Sequence, residues 1–133
     1  MIYLLDTCVL SDFVKGDVQT LEHLKRITPQ NIAVSSITTM EIAYGLALNT
    51  EKAKKIQPVL NDFLQVITIL SFEERDADCS GKIRSYLKQK GTPVGGYDVL
   101  LAGTALNREL ILVTSNLREF NRIEGLRLEN WRD

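Results

Sequence analysis

The chain has 133 residues, 44% of them hydrophobic and 25% charged, the balance of an ordinary soluble globular protein long enough to bury a core. Lys and Arg total 16 against 17 Asp and Glu, so the net charge of −1 provides no bulk attraction to a polyanion; such a partner would be held by local basic patches or a metal. No apolar run reaches the length of a membrane span, and the N-terminus lacks the basic region and cleavage site of a signal peptide. Two cysteines without a CxxC pair, beside His23 alone, exclude the usual zinc arrangements, so any metal would be held through oxygen, which selects Mg2+ or Mn2+. These features predict a cytoplasmic protein, one domain over residues 1–133, with no membrane contact.

Residues 2–5 form an unbroken apolar run, the mark of a strand buried on both faces of a parallel sheet, and Asp6 closes it. A short helix over 9–14, stopped near Gly16, and a second over 17–27 follow, with Pro29 beyond. Residues 32–34 read as a strand, after which Ser35 or Ser36 caps a helix running to about Leu48. Residues 51–64 read as a helix that Pro58 begins or kinks, 66–70 as a β-branched strand, and 72–90 as a long helix ended by Gly91. Gly95 and Gly96 open a helix to about Glu109; 111–114 is the next buried strand. The tail over 116–133 holds a short helical piece and an edge strand near 126–128. Strands alternating with helices imply an α/β fold, a mostly parallel sheet with helices on both faces.

Three acids stand in apolar surroundings. Asp6 lies at a strand end, where open α/β sheets bind their ligands. Glu41 interrupts a helical stripe of Ile37, Tyr44 and Leu48, and Asp98 shares a face with Leu101, Ala102, Ala105 and Leu106. Each acid taken alone could be a boundary residue reaching solvent. Together they suit a divalent cation, which removes carboxylate repulsion, orients a phosphodiester and activates a water. The strand end at Thr114, Ser115 and Asn116 offers a fourth corner of oxygen-bearing side chains, or merely caps the next turn. Tyr3, Phe13, Tyr44 and Phe63 read as core aromatics or an interface, the core for most of them.

Four segments in order resemble those of PIN-domain nucleases of the VapC type. Asp6-Thr7-Cys8 resembles their opening DTN or DTS, and the run from Ser35 to Gly45 their second segment, centred on Glu41. Gly91-Thr92-Pro93-Val94-Gly95-Gly96-Tyr97-Asp98 resembles G-x-P-[IV]-G-x-x-D, and residues 112–120 the fourth segment; residues 126–131 resemble the C-terminal end. The resemblance implies a PIN-like three-layer α/β/α fold and a Mg2+- or Mn2+-dependent endoribonuclease, the toxin of a type II toxin–antitoxin pair. Asp6, Asp98 and Glu41 would hold the metal, Asn116 would complete the catalytic group, and Thr7, Thr114 and Ser115 would support it. The partners implied are RNA, with a tRNA loop as family precedent, a second copy in a homodimer, and a small antitoxin whose tail fills a groove between the early helices. Arg84, Arg118 and Arg122 would contact RNA. Cys8 departs from the usual Asn or Ser, and Asn116 from a fourth Asp. A haloacid-dehalogenase-type phosphatase also begins with Asp after a strand, but it wants an acid two positions on, where Cys8 stands. The remaining alternative is a PIN-like module that binds RNA or protein with weak or no cleavage.

Overall fold

The sheet is built from strands of two to four residues, too short to be stable singly and packed between helices. In the computed structural model, which describes residues 1–132, five strands lie in the order β3-β2-β1-β4-β5, all parallel: β1 Tyr3–Leu5, β2 Ile32–Ser35, β3 Thr68–Leu70, β4 Ile111–Val113 and β5 Leu128–Glu129. The helices are α1 Thr7–Lys15, α2 Val18–Lys25, α3 Ser36–Leu48, α4 Thr50–Val66, α5 Glu74–Gln89, α6 Gly96–Asn107 and the short α7 Leu117–Phe120.

Alternation along the strands divides the core in two. Leu4, Ala33 and Leu112 face the layer of α5 and α6, where Leu87, Leu101 and Ala102 meet them. Leu5, Val34 and Val113 face the other way, onto Val9, Leu10 and Trp131, with Leu24 and Phe63 from α2 and α4 packed alongside. The expected three-layer α/β/α arrangement is present, and the sheet is wholly rather than mostly parallel. The two layers differ in how closely helix meets helix. A Cβ on Gly103 of α6 would lie 1.9 Å from Ser80 Oγ of α5, so that crossing tolerates only glycine. On the opposite layer Trp131 stacks on His23 at 5.3 Å and meets Tyr3 edge-on at 5.6 Å, while Arg132 makes a two-bond fork with Asp12 at 2.8 and 3.0 Å.

Several boundaries shift from expectation. The first helix begins at Thr7, because Asp6 caps it directly. Val66 ends α4 and does not open β3, whose pairing starts where Thr68 meets Ala33. The long helix starts at Glu74, set by a capping box between Glu73 and Asp76. Ser35 is the cap of α3, and Ser36 Oγ instead accepts from the Phe72 amide at 3.0 Å. Pro58 lies inside an α4 that runs on through it. The edge strand is Leu128–Glu129, slightly later than expected. The α3 stripe is the larger correction: Tyr44 is 65% and Leu48 69% exposed, so helical spacing there marks an apolar face that the core does not cover. Phe13 and Phe63 are partly buried against each other, centroids 4.6 Å apart.

Candidate active site

The strand order reverses at β1, which is followed in sequence by β2 on one side and flanked by β4 on the other. A crevice forms at the carboxyl ends of strands beside such a reversal. Asp6 and Thr114 are the residues that leave β1 and β4 there, and both are buried. The Asp6 amide donates to the Val113 carbonyl at 2.9 Å. Its carboxylate is divided: Oδ1 accepts from the Thr7 amide at 2.6 Å, capping α1, and Oδ2 accepts from the Thr114 hydroxyl at 2.8 Å. Thr114 in turn accepts from the Asn116 amide at 3.0 Å, so its proton is committed to Asp6. Thr7 reaches the other way, its hydroxyl donating to Glu41 Oε1 of α3 at 3.0 Å. One residue pair thus fixes two of the expected acids.

Asp98 enters in the first turn of α6, half-buried, next to Gly95, where a Cβ would press within 3.3 Å of its carboxylate. Its pKa is pushed up to about 6, by burial first and then by the negative charges of Asp6, Glu119 and Glu41. No cationic side chain offsets that push. The charges of Asp6 and Glu41 therefore act on Asp98.

Glu119 was not anticipated. Asn116, expected to form the fourth corner, stands at the start of α7 without a side-chain capping bond and turns its amide to donate to Glu119 Oε2 at 3.0 Å. The fourth carboxylate near Asp98 is thus Glu119, with Asn116 holding it. A four-residue helix shows no periodicity to read; the only signal was the three-residue step from Asn116, one helical turn.

Cys8 stands in the same network. Its thiol donates to Asp6 Oδ2 at 3.5 Å, and Ser115 Oγ donates to the Cys8 sulfur at 3.4 Å. Burial, then the charge of Asp6, raises the thiol pKa, so it stays a neutral, weak donor to Asp6. Of the three arginines expected to meet RNA, Arg84 and Arg118 are exposed on α5 and α7. Arg122 differs, since its guanidinium donates to the Pro93 carbonyl at 3.1 Å and ties the segment before α6 to the chain after α7. A groove between α1, α3 and α4 opens beside Thr7 and Glu41, apolar along Leu10, Ile42 and Leu46, with Lys15 and Lys52 at its rim.

The PIN domain family model matches residues 3–126. The chain belongs to the PIN domain family. Among its relatives, the tRNA(fMet)-specific endonuclease VapC of Salmonella typhimurium is 36% identical over 129 residues, covering 97% of each chain. Ribonuclease VapC2 of Haemophilus influenzae is 38% identical over 131 residues, again 97% of each. A chain in the crystal structure of VapBC2 from Rickettsia felis, bound to a DNA fragment from its promoter, superposes with a TM-score of 0.90 at 35% identity, covering 98% of this chain and 99% of that one. The similarity runs through the whole PIN fold, including the strand ends that carry Asp6 and Thr114.

The donor set of this PIN-domain protein is oxygen: three carboxylates expected from the sequence, with Glu119 alongside. That set suits a hard divalent cation such as Mg2+ or Mn2+. Among the described residues no three acidic, histidine or cysteine side chains stand at ready-made cage spacing. A bound cation would have to draw these side chains together.

Proposed function

We propose that this chain is a VapC-type endoribonuclease, the toxin of a VapBC-type toxin–antitoxin pair, cutting RNA by a Mg2+- or Mn2+-dependent hydrolysis. The observation that carries the proposal is the meeting of acids from separate elements around the half-buried Asp98, namely Asp6 after β1, Glu41 of α3 and Glu119 of α7; burial first, then their charges, raises its pKa. Asp6, Glu41 and Asp98 would hold the ion. When bound, a divalent cation would cancel the carboxylate repulsion, lower the pKa of an attacking water and stabilise the leaving oxygen. The chain's own residues supply the orientation. Thr114 and Cys8 fix one oxygen of Asp6, Thr7 fixes Glu41, and Asn116 fixes Glu119. Burial of Asp6 and Thr114 keeps bulk water from competing for these bonds.

RNA as substrate is supported by the names of the relatives, one of them specific for a tRNA, and by the exposed Arg84 and Arg118. An antitoxin partner is supported by the likeness to VapBC2 and by the groove beside Glu41, whose apolar floor and lysine rim suit an amphipathic tail. The uncovered Met40, Tyr44 and Leu48 on α3 are consistent with a homodimer. No helix among the described residues is long and apolar enough to cross a membrane, in keeping with action in the cytoplasm as one domain.

The test is a paired measurement on wild type and Asp98→Ala. Mn2+ at 100 times its Kd should stabilise the wild type by about 2.7 kcal/mol and support cleavage of an RNA pool, with both effects lost or much reduced in the variant. Absence of any Mn2+ response in the wild type would sink the shared metal centre. A metal response with no cleavage of any RNA would leave a binding module instead of a nuclease.

A further inference from the structure

A second groove lies on the other side of Asp98, between α5 and the segment leading into α6. Arg84 and Lys88 lie one helical turn apart on α5, and Tyr97 and the edge of Phe72 line the groove with them. Two cations and no carboxylate line it. That composition contrasts with the net charge of −1 on the chain and with the acidic crevice one residue away. Arg84 and Lys88 make no ion pair among the described residues, although Lys82 on the same helix pairs with Asp78. Tyr97 is 53% exposed and has no ring or hydrogen-bonding partner among the described residues, whereas Tyr86 is covered by Lys90. An exposed aromatic beside two unpaired cations suits a partner that is anionic and carries flat π faces.

Tyr97 and Asp98 are neighbours in the first turn of α6, so their side chains diverge by about 100° around the helix axis. One faces the groove and the other the carboxylates. A strand lying along the groove would therefore pass from the tyrosine to the acids within a residue's breadth. We propose that this groove is the track for the single-stranded RNA adjoining the scissile phosphate, with Tyr97 stacking on a base and Arg84 and Lys88 holding backbone phosphates. Base–aromatic stacking beside a basic stripe tolerates any base, so the track contributes grip and alignment and leaves sequence choice to other contacts. The inference rests on the ribonuclease reading above and specifies where its substrate lies.

The experiment follows cleavage of a fluorophore–quencher single-stranded oligoribonucleotide, with KM and kcat measured over a range of KCl. Tyr97→Ala should raise KM roughly 5- to 100-fold, the loss of one base–aromatic stack, while Tyr97→Phe stays close to wild type. Arg84→Gln, on a different helix and safe from any disturbance of α6, should flatten the dependence of log KM on log salt by about 0.7, one single-strand phosphate contact. Wild-type KM and salt dependence in both Tyr97→Ala and Arg84→Gln would overturn the proposal. So would a change of oligomeric state with no change in KM, since the face would then be covered by a second copy. A wild type that neither binds nor cuts the oligonucleotide would bring down the ribonuclease reading and the track together; one that cuts, with indifferent variants, brings down the track alone.

Discussion

Asp76 and Asp98 are two acids on adjacent helices held in opposite ways. Asp76, fully buried at the start of α5, accepts from Arg108 Nε at 3.2 Å and Nη2 at 2.8 Å, from Asn107 at 2.9 Å and from the Glu73 amide at 2.9 Å. Burial pushes its carboxyl up, but those bonds outweigh burial and hold it below the usual carboxylate range. Asp98 has no such partners and faces three like charges. The first acid is satisfied within the protein and serves the fold, bracing α5 against the end of α6. The second is left unsatisfied, and its unmet charge is what a cation would answer. Burial of an acid therefore does not by itself mark function; buried acids that face one another with no cationic partner are the candidates.

The contrast can be broken most directly at Asp76. Asp76→Ala leaves the Arg108 guanidinium, itself mostly covered, without its partner, and should cost about 3 kcal/mol of stability, read as a fall in urea midpoint with an unchanged slope. A cost below about 1 kcal/mol would mean the pair is solvated and the contrast overdrawn. Asp98→Asn should do the opposite in metal-free protein at neutral pH, removing a repelled charge and raising Tm by roughly 2 °C. A fall in Tm would show that the Asp98 carboxylate is stabilised after all.

The pH dependence sharpens the same point. In the folded state Asp98 takes its proton near pH 6, and in the unfolded chain near 4. Between those values the folded state binds the extra proton, so the metal-free contribution of Asp98 to stability rises as pH falls from above 6 towards 4. Asp76 works in reverse: its depressed pKa adds stability above the unfolded value, and that is lost as pH falls through the folded one. Subtracting the Asp98→Asn stability curve from the wild type between pH 4 and 8 should show the first trend; a flat difference would contradict it. Protons also compete with metal, so stabilisation by Mn2+ should shrink as pH drops below 6. The smallest expected effect is at Glu119. Glu119→Gln removes one of the three charges on Asp98 and should shift that loss of Mn2+ stabilisation to lower pH, with little change in Tm; no shift would mean its charge does not reach Asp98.

The alternation of apolar runs and helical periods made the α/β layering legible, and the apolar run closed by Asp6 located the end of β1. Glu41 and Asp98 were legible because each interrupts a helical stripe. The stripe through Tyr44 and Leu48 misled for the same reason it was visible, since spacing reports that a helix has an apolar face and not what covers it. Val66 is β-branched and was read as strand, but strands here are fixed by register with neighbours distant in sequence, and β3 begins only where Ala33 can pair with Thr68. Asn116 holds Glu119 by a bond that depends on how a four-residue helix turns, which composition does not reveal.

The bond from Thr114 to Asp6 joins residues 108 positions apart, and β1 has β4 as one of its two neighbours. Strand β1 thus waits for β4, the fourth strand in chain order. While the chain emerges from the ribosome, residues 3–5 can pair on the β2 side only, and Asp6 has neither the Val113 carbonyl nor the Thr114 hydroxyl to fix it. Closing so long a loop is also slow relative to forming the helices between. Asp6 therefore gains these partners only once β4 has been made, and a chain cut short before residue 111 contains Asp6, Glu41 and Asp98 without the strand that fixes Asp6.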